Sequence, residues 1–268
     1  MRRKGRAICF IAWLVVREGL RQHVVAGFCV AYALFVGGTG ILRTLHFGSD
    51  QLEFVTQTGL AGASLGGAIC TVVLSVQFFL GEFEDGIALV LFSKPVTRSD
   101  YVIGKWLGTM GLMGGFFVWV TVVLGFQIHA AGSAIGEAGT RFVQMEVGVR
   151  GIIEWFKCGL LCAAVQCVSA FLRTRVLATL TGLVILILCH ARPLLDEAAI
   201  RIGPPLVQQM LKAVVRIVPD FRRFDLDWHG SGEFISVLTS LAAAAPYGLV
   251  YLVGLLLAGG LILQRKEI

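Results

Sequence analysis

The stretch Gly81 to Trp106, reading GEFEDGIALVLFSKPVTRSDYVIGKW, holds the residues best suited to chemistry in this chain. Acidic residues open it (Glu82, Glu84, Asp85), a short apolar helix-like run follows (Ile87 to Phe92), Pro95 breaks that run, and Arg98 and Lys105 close it. The chemistry on offer is recognition rather than bond-making. A short helix with Ile87, Leu91 and Phe92 on one face could plug a groove on another protein, while Glu82, Glu84, Arg98 and Lys105 make charge-assisted contacts around it. Glu154 and Lys157 form a second candidate. They stand one helical turn apart, a spacing that suits an interfacial ion pair or a gate at the mouth of a path.

Reactive constellations are missing from the sequence. It contains no nucleophile–base pair, no H-E-x-x-H metal motif and no G-x-x-x-x-G-K-[ST] phosphate loop. Four of the five histidines (His46, His129, His190, His229) fall on one expected side, and Cys158 and Cys162 share a helix face. Such ligands suit copper, but the histidines are scattered over different loops with no ligand spacing. No catalytic, cofactor-binding or metal-binding residue is expected, and the chain is not expected to be an enzyme.

The elements that must carry these residues are membrane helices. The 268 residues are 56% hydrophobic and 15% charged, against roughly 25% charged in soluble domains. Apolar runs cover 24 to 42, 60 to 80, 107 to 128, 151 to 172, 176 to 190 and 242 to 263, and a bilayer core takes roughly 20 helical residues to cross. The expected fold is all-α, a single transmembrane domain over 1–268 with six spans. Glu154 and Lys157 then lie near the outer end of the fourth.

Residues 1–22 differ from the spans. Ile8 to Val16 is too short to cross, and Arg-Glu-Gly-Leu-Arg follows it where a signal peptide would carry small residues. Arg6, Arg17 and Arg21 fall near one helix edge with Ile8, Ile11 and Val15 opposite, the pattern of an interfacial helix on the inner leaflet. Segments 1–23, 81–106, 173–175 and 264–268 together hold thirteen Lys/Arg against six Asp/Glu, and the remainder holds ten against eleven. Basic segments mark the cytoplasmic side, so both termini are expected there, and the basic charge reports orientation rather than nucleic-acid binding. All seven cysteines lie in apolar stretches, where Cys behaves as a small hydrophobe.

Between spans five and six, residues 191–240 form the one long outer segment. Leu206, Met210, Val214 and Ile217 recur at helical spacing between Pro204-Pro205 and Pro219, which predicts an amphipathic helix before the last span. Pairs such as Gly62/Gly66, Gly104/Gly108 and Gly111/Gly115 are four apart and allow close helix approach. Residues 24–42, 60–80, 107–128, 158–172, 176–189 and 242–263 contain no Asp, Glu, Lys, Arg or His. Ion-coupled carriers keep such groups inside the bilayer, so the energy source is expected outside the chain.

The order Glu82, Glu84, Asp85, Gly86, apolar turn, Pro95, Arg98, Gly104, Lys105 resembles the coupling segment of the permease subunits of type-2 ABC (ATP-binding cassette) exporters. Pro219-Asp220-Phe221, Phe224-Asp225 and Tyr247-Gly248 with Tyr251 are similar to the family's approach to its last span, whereas Ile87 stands where the family often has Thr. The resemblance implies a bacterial inner-membrane permease that exports a substrate. It also implies two copies of a separate ATPase that holds ATP and Mg, and a second permease copy or homologue. Two other readings stay open: ATP-driven mechanical transmission to a periplasmic partner through 191–240, and a membrane scaffold or carrier without an ATPase.

Overall fold

The computed structural model describes residues 2–42, 51–84, 97–131, 137–201, 208–209, 218–224 and 234–265. Among them, seven long helices and one 3-10 turn account for the architecture: α1 (Arg2–Arg21), α2 (Val24–Leu42), α3 (Gln51–Glu84), α4 (Arg98–Ala131), α5 (Glu137–Ser169), α6 (Arg175–Arg201), the 3-10 turn Phe221–Phe224, and α7 (Phe234–Arg265).

Five helical stretches are long and apolar enough to cross a bilayer: Glu53–Glu84, Arg98–Ala130, Val143–Ser169, Arg175–Arg192 and Ala244–Arg265. Gly5–Arg21 and Val24–Gly40 pass the same length and composition test only as a pair, across a 57° bend. His23 makes that bend. Its φ of 56° is left-handed, a region where His is enriched among non-glycine residues, and its carbonyl accepts the first hydrogen bond of α2 from Gly27 N–H at 2.9 Å. The chain is an all-α, multi-pass membrane protein.

Contacts fix the directions. α1 and α2 run beside α4 in the same sense: Ile11 meets Gly104, Val15 meets Gly108 and Val16 meets Gly111, then Trp119 Nε1 donates to Cys29 O at 3.2 Å and Gln127 Nε2 to Val36 O at 2.7 Å. α3, α5 and α7 run the other way. The start of α1, the α3–α4 connection, the α5–α6 turn and the end of α7 therefore gather at one end of the bundle, here the α3–α4 end.

Glycine sets the closest approach. A β-carbon at Gly108 would lie 2.5 Å from Val15 Cβ and 2.8 Å from the Ala12 carbonyl oxygen. Such proximity is how helices associate in lipid, where packing replaces the hydrophobic drive. Ile11 and Val15, at 1% exposure, thus spend the apolar face of α1 on α4, while Phe10 and Trp13 remain over half exposed on the face that carries Arg6, Arg17 and Arg21. That outer face, with Arg17 stacked over Trp13 at 5.4 Å, has the aromatic and basic character of a headgroup boundary.

Three expectations about helix limits change. Glu82, Glu84, Arg98, Gly104 and Lys105 belong to the last turns of α3 and the first turns of α4 rather than to a loop. α5 starts at Glu137, well before residue 151, supported by the Arg150–Glu146 pair at 2.8 Å. Its membrane-spanning stretch, Val143–Ser169, includes Glu154 and Lys157. α6 likewise continues past residue 190 to Arg201. The amphipathic helix expected from Leu206 lies almost wholly outside the described residues.

Candidate functional site

At the α3–α4 end, helix termini are stitched by charges borrowed from other helices. α4 begins with its own capping box: Asp100 N donates to Thr97 Oγ1 at 3.2 Å and Thr97 N to Asp100 Oδ2 at 3.4 Å. One turn on, the Lys105 ammonium pairs with the Glu82 carboxylate of α3, and Tyr101 Oη donates to the same carboxylate at 3.0 Å. Lys105 is only 1% exposed. Phe79, Phe83 and Tyr101 surround the pair as a triangle of rings, each 5.8 Å from the next, and Lys105 Nζ lies 5.5 Å from the Tyr101 ring. A buried charge is tolerated only when paired and hydrogen-bonded, and here both conditions hold.

Two further junctions satisfy backbone groups that helix ends leave open. Arg175 stands at the positive start of α6, an unfavourable place for a cation. Glu84, at the end of α3, compensates by accepting from Arg175 N–H at 3.1 Å. Its carboxylate also lies 2.5 Å from Arg175 Nε, in an ion pair whose angle is not that of a hydrogen bond. In return Arg175 Nη2 donates to Gly81 O at 3.2 Å, so each helix caps the other. Arg98 does the same for α7, with Nη1 donating to Leu263 O at 2.6 Å and Gln264 O at 2.9 Å. α1 joins through Gln77 Nε2, which donates to Gln22 Oε1 at 2.5 Å, and Gln22 Nε2 donates to Glu18 at 2.8 Å.

Of the residues singled out in the sequence, Glu82, Glu84, Arg98, Gly104 and Lys105 thus come together, facing partners within the chain. Gly104 serves the contact with α1, where a β-carbon would sit 2.8 Å from Ile11. Asp85, Gly86 and Pro95 lie outside the described residues. Sequence reasoning missed Tyr101 and Arg175 as members, although an Arg at the first position of a span was a readable anomaly.

Near mid-bundle, Lys157 Nζ donates to Glu154 Oε1 at 2.9 Å and Ser64 Oγ of α3 donates to Glu154 Oε2 at 2.8 Å. Two cavities meet this group. One, of about 250 Å³, is lined by Gln57, Ser64, Arg150, Glu154, Lys157 and Phe224 among others; the second, of about 310 Å³, reaches the same three polar residues from the side of His190 and Phe221. The 3-10 turn separates them. Phe221 packs on His190 at 5.6 Å and Phe224 on Phe156 at 5.6 Å. The stretch before the turn is clamped to α6 and α7, since Arg192 Nη1 donates to Val218 O at 2.7 Å and Asp220 N to Tyr247 Oη at 3.0 Å.

Cys158 and Cys162 are buried, and Ser75 Oγ donates to Cys162 Sγ at 3.2 Å. Among the described residues no three of His, Cys, Asp and Glu are placed to hold a metal ion.

No curated protein sequence matches the chain. A family model described as ABC-2 family transporter protein matches residues 9–191, from α1 through most of α6. The match takes in the ion pairs Glu82–Lys105, Glu84–Arg175 and Glu154–Lys157 and every residue of the α3–α4 junction except the end of α7. The chain belongs to the ABC-2 transporter family, as a membrane-spanning transport subunit whose family works in general with an ABC ATPase.

Proposed function

We propose that this chain is the permease subunit of an exporter, and that a separate ATPase docks on residues 85–96 and drives it through the α3–α4 junction. The observation that carries this reading is the bracketing of that connection. Glu82–Lys105 fastens its two flanks to each other, Glu84–Arg175 fastens the first to α6, and Arg98 fastens the second to α7. A displacement applied to 85–96 therefore reaches four helices. In this reading Glu82 and Lys105 hold the lever, the apolar run Ile87 to Phe92 with Asp85 is the docking face, and Gly86 and Pro95 shape it.

The remaining parts follow. Two ATPase copies carry ATP and Mg, a second permease copy or homologue completes the path, and the α3–α4 end faces the cytoplasm of a bacterial inner membrane. Glu154 and Lys157, between their cavities, act as the gate. The test is to tag the full chain, extract it in mild detergent and identify what co-purifies, with Ile87→Glu/Leu91→Glu as comparison. A stoichiometric P-loop ATPase, lost in the variant while the permease stays monodisperse, is expected. A wild-type permease that brings no ATPase overturns the reading in favour of a scaffold or carrier.

The clamp of Arg192 and Tyr247 on residues 218–220 favours a second reading, in which motion of α6 and α7 passes to a periplasmic partner without solute transport. Deleting Leu206 to Val218 then abolishes binding of that partner; its retention removes this reading.

A further inference from the structure

At the α3–α4 end a third cavity, of about 400 Å³, opens between the α5–α6 turn and the end of α7, lined by Ala170, Phe171, Arg173, Leu261, Ile262 and Arg265. Its volume is that of a small-ligand site. Two features make its chemistry specific. Phe171 and Leu261 are 67% and 61% exposed, an apolar floor where the membrane-spanning stretches of α5 and α7 stop, at Ser169 and Arg265. The two walls carry guanidinium groups that are surface-exposed and that make no ion pair among the described residues, unlike Arg98, Arg175, Arg150 and Arg192, each of which is held by a partner.

Among the described residues, the nearby acids do not cancel this charge. Glu84 is committed to Arg175, Glu82 to Lys105, and Asp100, 8% exposed, to Thr97. We infer that this cavity binds an anionic phospholipid of the bilayer, its phosphate between Arg173 and Arg265 and its acyl chains along Phe171, Leu261 and Ile262. Arginine forks match phosphate oxygens, and basic pockets between helices at the headgroup level favour anionic lipids. A soluble anion would use the two arginines but leave the apolar floor unused. The inference rests on membrane embedding alone, so it stands or falls independently of ATPase docking.

The full-length permease, purified without ATPase and delipidated, is incubated with phosphatidylglycerol or phosphatidylcholine, and retained lipid is counted by native mass spectrometry. Selective retention of phosphatidylglycerol is expected. An arginine near a headgroup is worth roughly fivefold in affinity, so Arg173→Ala/Arg265→Ala loses roughly twenty-five-fold, whereas Arg173→Lys/Arg265→Lys keeps most of the binding. Equal retention of phosphatidylcholine, unchanged retention by the alanine variant, or displacement by inorganic phosphate at equal concentration each overturns the lipid site. Both arginines are exposed and outside the helix junctions, and monodispersity of the alanine variant checks that loss of lipid is not loss of fold. In the reconstituted membrane that variant is expected to keep any co-purifying ATPase; losing the ATPase with lipid retention unchanged would mark the patch as a protein-docking surface instead.

Discussion

Glu82 and Lys105 come from different helices, twenty-three residues apart, while Glu154 and Lys157 share one helix a single turn apart. The first pair is walled by three aromatic rings and adjoins none of the cavities described above. The second adjoins two, and Ser64 Oγ of α3 donates to its carboxylate. Buried ion pairs contribute little net stability over an apolar replacement, but they fix geometry, and losing one partner is costly. A pair between helices fixes how α3 and α4 meet. A pair within α5 does not by itself set how α3 meets α5, which is left to packing and to bonds such as Ser64–Glu154. The α3–α4 end is thus held by ion pairs between helices, whereas the Glu154–Lys157 pair lies within one helix beside two cavities.

The largest effect expected is from Lys105→Met, which strands the Glu82 carboxylate among rings and costs about 3–5 kcal/mol. Thermal unfolding in detergent checks it; a midpoint equal to that of wild type would remove the distinction between the pairs. Lys157→Met is expected to cost less, about 1–3 kcal/mol, because Glu154 keeps Ser64 and cavity space for water. Should it destabilise more than Lys105→Met, the comparison is inverted.

Accessibility sharpens the contrast without disturbing either pair. In a cysteine-free background, Ser64→Cys is expected to react with a water-soluble maleimide several-fold faster than Ser75→Cys, since Ser64 lines both cavities and Ser75 is fully buried. Equal rates would mean that the cavities are dry.

Packing at the junction gives a further handle. Gly108→Val is expected to cost about 1–3 kcal/mol by driving α1 off α4, whereas Gly115→Ala, with open space around it, stays within about 0.5 kcal/mol. The smallest effect is that of Glu84→Gln. Its pair with Arg175 is more than a third exposed on both sides, so the loss is at most about 1 kcal/mol and shrinks with added salt. Differential unfolding across a salt series reads it.

The membrane class, the passes and the set of charges around the α3–α4 connection were legible from hydropathy and residue order alone. Which way those charges face was not. Hydropathy ends where charges begin, so Glu82 and Lys105 looked like loop residues, although both helices continue past them by pairing. The Thr97-Arg98-Ser99-Asp100 spacing is a capping-box pattern that could have marked the start of α4 but was not read as one. For α5, the Glu146/Arg150 spacing carried the hint that an amphipathic extension precedes residue 151. Ser64 was illegible because nothing local distinguishes a serine that meets a carboxylate ninety residues away from one that bonds its own helix.

The elbow at His23 has a mechanical consequence. α1 is clasped to the first turns of α4 through glycine, and α2 is hooked to its later turns through Cys29 and Val36. A tilt of the lower part of α4 therefore carries α1 as a rider, and the whole angular mismatch with α2 concentrates at one left-handed residue. The bend between α1 and α2 thus falls at one left-handed residue, with α4 gripping the chain on both sides of it.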